Sequence, residues 1–242
     1  MGADRPRRRA EASLQLNTGV RRQVYGRHLA PRLRPVQKAR LETMLPKLRL
    51  DIPEDGRLVH LPERLWLEIG FGGGEHLAWQ AANNPDVGFI GVEPFMGGVV
   101  KLLQHIESDD LKNVRVVVDD ARLLLAALPE RSVERVFILF PDPWPKRRHW
   151  KRRIVCDAVI SEVARVMRSG GLLRIATDHA DYRQWILEVM LRAPGFEWQA
   201  ERPADWRERG DDWPPTRYEE KAVRENRPPV FLRFGRVARH QV

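Results

Sequence analysis

The sequence predicts an α/β fold built on a mostly parallel, doubly wound sheet with an antiparallel C-terminal edge strand. Three observations lead there. Five short runs, LWLEIG (65–70), VGFIGVE (87–93), VRVVV (114–118), VERVFILF (133–140) and GLLRIAT (171–177), are apolar and rich in β-branched residues. Helix-length stretches alternate with them, at 73–83, 97–108, 121–128, 154–168 and 179–192. Strands apolar on both faces that alternate with helices indicate βαβ units and a parallel sheet covered on both sides. The tail, RPPVFLRFGRV (227–237), supplies the last strand, antiparallel at an edge.

Each remaining segment has its own signal. Residues 1–35 are rich in Arg and Pro with little apolar periodicity, and read as a basic, flexible arm. Val36, Ala39, Leu41, Met44 and Leu45 then fit one short amphipathic helix, which Pro46 ends or kinks. The rest, 36–242, reads as a single domain, with an inserted loop near 203–228 that carries prolines at 203, 214, 215 and 228.

Charge is distributed unevenly. The net formal charge is +9, yet residues 1–50 hold 13 Lys/Arg against 3 Asp/Glu, while residues 65–140 hold 6 against 11. Basic appendages on a mildly acidic centre suit a polyanionic partner better than a uniformly solvated surface does. No run approaches the roughly 18 apolar residues of a membrane span. MGADRPRRRAEA lacks the apolar region of a secretory signal, and Asp4 and Glu11 argue against a mitochondrial transit peptide. A lone cysteine, Cys156, leaves no intrachain disulfide and no cysteine metal cluster. The chain reads as cytoplasmic, and no metal site is expected.

Candidate chemistry gathers where apolar runs end, because open parallel sheets bind ligands outside the carboxyl ends of their strands. GFGGG (70–74) follows the first strand, and Gly70 and Gly72 allow a ligand to approach the backbone closely. A dinucleotide fingerprint would need glycine at position 75; Glu75 stands there, so the loop leans away from a diphosphate cofactor. Glu68, Glu93 and the Asp119–Asp120 pair lie in or after three successive strands. Carboxylates so placed match the ammonium, ribose and adenine amino donors of S-adenosylmethionine, although any one of them could instead cap the helix that follows. Asp142 follows the fourth strand directly, between Pro141 and Pro143, which restrict the backbone on either side of it. Six of the nine residues after Trp144 are Lys or Arg.

LEIGFGGG, GVEP, DDA, FPDPWPKRRHWKRRI, ATD and TRYE, in this order and spacing, resemble the bacterial tRNA (guanine-N7-)-methyltransferase family. The likeness spans roughly residues 60–235, and the PDPW turn with its basic block is the most specific part. The resemblance implies a Rossmann-like class I methyltransferase fold, with S-adenosylmethionine as cofactor and tRNA as partner. It also implies methyl transfer to N7 of guanine 46 in the variable loop. Glu68, Glu93, Asp120 and Asp142 would contact or border the cofactor, with Asp120 favoured over Asp119 and Asp142 as the catalytic residue. Lys146, Asp178, Thr216, Arg217, Tyr218 and Glu219 would touch substrate. Arg148, His149, Trp150, Lys151, Arg152 and Arg153 would lie against RNA. Arg217 and Tyr218 stand where relatives commonly carry Lys and Phe, and the changes keep charge and ring. Trp144, Trp150 and Tyr218 are the candidate stacking partners for a base, and Arg21, Arg22, Arg27, Arg32 and Arg34 of the arm are candidate phosphate contacts. Two rivals remain: a methyltransferase of the same fold acting on another RNA or DNA, and a non-catalytic RNA-binding protein. The order Pro-Asp-Pro-Trp disfavours amino-methylating enzymes, and the strand-end acids disfavour the second rival. Oligomeric state, monomer or homodimer, is left open.

Overall fold

The computed structural model describes residues 23–25, 33–53 and 55–238. In chain order the elements are α1 (Pro35–Leu48), β1 (Leu65–Ile69), α2 (Glu75–Asn83), β2 (Gly88–Val92), α3 (Met96–Ser108), β3 (Val114–Val117), α4 (Ala121–Ala127) and β4 (Val133–Leu139). A 3-10 helix (Arg147–Arg152) precedes α5 (Asp157–Val166), β5 (Met167–Thr177), α6 (Ala180–Arg192) and β6 (Phe196–Trp198). Two short helices, α7 (Ala204–Arg207) and α8 (Arg217–Arg224), lead into β7 (Val230–Arg236).

The seven strands form one sheet in the order β3-β2-β1-β4-β5-β7-β6. β1 to β5 pair in parallel, and β7 runs antiparallel to both β5 and β6. The expected antiparallel edge is present and is widened by β6, whose three residues are too few to show a period in sequence. α1 continues through Pro46 to Leu48 instead of ending there, because only its final turn follows the proline and Arg49 N–H closes it on the Leu45 carbonyl at 2.8 Å. The predicted helix 154–168 contracts to α5, and its last residues begin β5.

Side-chain alternation along the strands sorts the core onto two faces. Leu65, Leu67 and Ile69 of β1 join Val136, Ile138, Leu173 and Ile175 against α4, α5 and α6. Trp66 joins Phe89, Phe137 and Leu139 against α2 and α3, with Leu41, Met44, Leu45 and Leu48 of α1 packed outside. Arg135, Arg174 and Arg233 share the parity of this second face. There the 203–228 insertion supplies a cover: Arg174 donates to Asp212 Oδ1 at 2.8 Å, and Trp213 is buried beside Phe231. The expected loop is therefore a built segment. Its α7 and α8 are too short and polar to announce themselves by periodicity. Among the described residues no helix is long and apolar enough to cross a membrane.

Candidate active site

A cavity of about 450 Å³ opens at the carboxyl ends of β1, β2 and β4, where strand order reverses between β1 and β4. Ligands bind open α/β sheets at such switch points. Its floor is the glycine loop. Gly70 (φ +73°) and Gly72 (φ +56°) sit in the left-handed region that favours glycine, and a Cβ on Gly72 would meet the Tyr218 hydroxyl at 2.7 Å. Glu93 braces the loop by accepting Gly72 N–H (3.0 Å) on one oxygen and Phe95 N–H (2.9 Å) on the other. Burial pushes its carboxyl above the usual range, more than those two bonds lower it, and Asp142 nearby adds to the rise. Asp120 caps α4 through Arg122 N–H at 2.9 Å and faces the cavity. Capping and cavity-lining are thus combined in one residue. Asp119 accepts the Asp120 N–H at 2.7 Å and is not part of the wall.

Asp142 also lines the cavity, in a turn whose two ends are strained. Phe140 (φ +49°) and Trp144 (φ +43°) both hold left-handed backbone, which costs a bulky residue about 1–3 kcal/mol each. Phe140 N–H donates to the Ala176 carbonyl at 2.8 Å, and Arg153 Nε–H donates to the Pro143 carbonyl at 2.9 Å. Among the described residues the Asp142 carboxylate has no hydrogen-bond or ion-pair partner. It keeps solvent contact, yet the cavity walls withdraw enough water to push it above the ordinary aspartate value.

TRYE divides by direction. Thr216 is buried and caps α8 by accepting Glu219 N–H at 3.2 Å, while Glu219 accepts Arg209 Nε–H at 3.1 Å. The Thr-x-x-Glu spacing of a capping box was legible in the sequence; only its Thr216 half forms, and the Glu219 carboxylate turns to Arg209 instead. Only Arg217 and Tyr218 reach the cavity. Arg217 lies 3.4 Å from Glu75 Oε1, and Tyr218 lies nearly parallel to Phe140 at 6.4 Å.

Several expected contacts fall elsewhere. Glu68, expected at the cofactor, is on the α2 face of β1, buried outside the wall and bonded to His76 Nδ1 at 2.6 Å. Strand alternation sends it there, since its neighbour Ile69 takes the other face. Asp178 pairs with Arg227 at 3.1 Å at the end of the insertion, away from the wall. Lys146, Arg148 and Lys151 are exposed, as a phosphate contact requires, and His149 packs edge-on against Trp144 at 5.8 Å. Arg152 lies over Trp144 (4.9 Å) and lines the cavity. Trp150 is half-buried and packs onto Trp185, and the Arg153 side chain is 1% exposed.

The arm supplies residues that sequence reasoning missed. Gln23, Val24 and Tyr25 line the cavity: Gln23 N–H donates to Asp120 Oδ2 at 2.5 Å, and Tyr25 meets Trp144 edge-on at 6.3 Å. Tyr25 was the available signal, an aromatic ring in an otherwise arginine-rich stretch. Arg21, Arg22, Arg27 and Arg32 lie outside the described residues.

The wall fits S-adenosylmethionine. The volume is that of a small-molecule site, and apolar Ile69, Val92 and Leu139 share the wall with three carboxylates, Glu93, Asp120 and Asp142. Of the three arginines in the wall, Arg122 pairs with Asp120 and Arg217 with Glu75, while Arg152 lies over Trp144. Among the described residues no group of His, Cys, Asp and Glu is arranged to hold a metal ion.

Fold and site together define a class I methyltransferase. A family profile described as "Putative methyltransferase" matches residues 62–232. The tRNA (guanine-N(7)-)-methyltransferase of Nitrobacter hamburgensis is 48% identical over 221 residues, covering 88% of this chain and 86% of that one. The enzyme of the same name from Rhodopseudomonas palustris (strain BisB5) is 44% identical over 239 residues, 96% of this chain and 93% of its own. A solved rRNA methylase from Streptococcus thermophilus shares the fold, with a TM-score of 0.50 at 14% identity over 86% of this chain and 100% of that one. The chain belongs to the tRNA (guanine-N7-)-methyltransferase family.

Proposed function

We propose that the protein methylates N7 of guanine 46 in the variable loop of tRNA, with S-adenosylmethionine as donor. The observation that carries this reading is Asp142, a carboxylate without a partner among the described residues, held at a cofactor-sized cavity beside a row of exposed cations. The donor, when bound, supplies an electrophilic methyl group on sulfur. Asp120 and Glu93 would hold its adenosine, with the glycine loop against its amino-acid end.

Guanine N7 presents a lone pair and carries no proton, so no base is needed at the attacking atom. The N7–carbon bond forms as the carbon–sulfur bond breaks, and the bonding pair leaves with sulfur. Asp142 would accept hydrogen bonds from guanine N1–H and the exocyclic amino group, orienting the base and raising electron density at N7. The same negative charge offsets the positive charge that the ring acquires. Tyr218 and Phe140 would flank the base, which must leave its stack to enter. Lys146, Arg148 and Lys151 would hold phosphates, which position RNA without specifying sequence.

The test is incubation with unmodified tRNA and methyl-labelled S-adenosylmethionine, followed by mapping of the labelled nucleoside. The expected product is 7-methylguanosine at position 46 alone. Label on another base, another atom or another loop overturns the reading.

A further inference from the structure

Among the six residues of the basic block that sequence reasoning gives to RNA, Arg153 stands apart. It is 1% exposed, the only one of the six classed as buried. Its guanidinium lies over three rings, Trp150 and Tyr182 at 4.9 Å each and Trp185 at 5.0 Å. That aromatic cage is fixed in turn, because Trp185 Nε1–H donates to the Val155 carbonyl at 2.7 Å and the Tyr182 hydroxyl accepts Val155 N–H at 3.3 Å. Among the described residues the Arg153 side chain makes one directed bond out of the cage, from Nε–H to the Pro143 carbonyl at 2.9 Å.

Pro143 follows Asp142 directly. The turn that contains them has left-handed backbone at Phe140 and Trp144, a conformation that persists only where its surroundings over-determine it. A planar guanidinium wedged between rings is a rigid donor, unlike the flexible ammonium of lysine. We propose that Arg153 is a positioning residue for methyl transfer: it clamps the Pro143 carbonyl and thereby fixes where the Asp142 carboxylate points. On this view the basic block has two directions, with Arg148 and Lys151 facing phosphates and Arg153 facing the catalytic turn.

The inference rests on Asp142 holding the guanine, and the experiment separates the two. Wild type, Arg153→Lys and Asp142→Asn are compared in single-turnover methyl transfer at saturating tRNA and donor, across pH. The affinity of each for tRNA is also measured at several salt concentrations. For Arg153→Lys the expected result is a transfer rate at least about tenfold lower, with tRNA affinity and the slope of log affinity against log salt unchanged. Its acid limb also moves to lower pH, because a loosened turn returns water to the Asp142 carboxyl. A slope smaller by about 1 with an undiminished rate makes Arg153 a phosphate contact and overturns the proposal. So does an undiminished rate by itself. Should Arg153→Lys not fold, Trp185→Phe thins the cage while leaving Arg153 in place, and is expected to slow transfer about threefold at unchanged tRNA affinity; an unchanged rate there is equally contradictory. A full-speed Asp142→Asn removes the reading on which this depends, whereas a slow Asp142→Asn beside a full-speed Arg153→Lys removes only the role of Arg153.

Discussion

Asp142 and Glu93 are carboxylates that the fold makes more reluctant to ionise than usual, Glu93 chiefly by burial and Asp142, though exposed, by the cavity walls that withdraw part of its water. Function requires the opposite state, since only an ionised Asp142 accepts two hydrogen bonds from guanine. Turnover therefore falls as pH drops through a value above the ordinary aspartate pKa of about 3.9, and a pH–rate profile reads that limb directly. The same shift acts on stability with a definite sign. A carboxyl raised in the folded state contributes stability that is present below its unfolded pKa and is lost as pH rises through the folded value. Asp142 is exposed, so solvent screens most of this loss, and Asp142→Asn is expected to melt at or slightly above the wild-type temperature while transferring methyl poorly. A variant that is both slow and less stable in thermal melts contradicts this. Position after a strand was legible in the sequence for Glu93, Asp120 and Asp142, because each apolar run stops at the sheet's carboxyl edge. Glu68 was not, since strand direction tells where a residue lies but a one-residue change of parity decides which face it takes.

At the scale of elements, α8 shows how a short helix delivers a functional pair. Thr216 and Glu219 close its first turn, and Arg217 and Tyr218 between them project over the glycine loop. Thr216→Ala removes the cap at a cost of about 1 kcal/mol and lets that turn fray. The expected outcome is weaker donor binding by calorimetry with near-normal binding of tRNA, because the exposed cations are untouched. Equal losses for both ligands would show that α8 serves the whole molecule and not the cavity. The strands and the helices α2, α3 and α6 follow from period and length, while the insertion does not. Its cover over Arg174 is made by Asp212 and Trp213, two residues with no periodic pattern whose partners lie 38 and 18 positions away along the chain. Long-range pairs of this kind leave no local trace.

For the whole molecule, the sheet's switch point brings a carboxylate-bearing cavity and a basic rim together. The rim draws a polyanion and the cavity takes one base from it. Affinity for tRNA should fall steeply with salt, and Arg148→Ala or Lys151→Ala should each flatten the slope by about 1 while weakening binding to different tRNAs alike. An unchanged slope would move the RNA to another face. Charge distribution along the sequence already pointed to such a partner, although it did not separate outward cations from the inward Arg153.

The central claim is that Asp142 reads guanine by hydrogen bonds instead of removing a proton. It is tested most directly by single-turnover transfer to tRNA carrying guanosine or inosine at the target position, with wild type and Asp142→Ala compared on both. Inosine lacks the exocyclic amino group but keeps N7. The account predicts that inosine slows the wild type about tenfold, the loss of one hydrogen bond to a charged group, and barely slows Asp142→Ala. An equal inosine penalty in both proteins would contradict it.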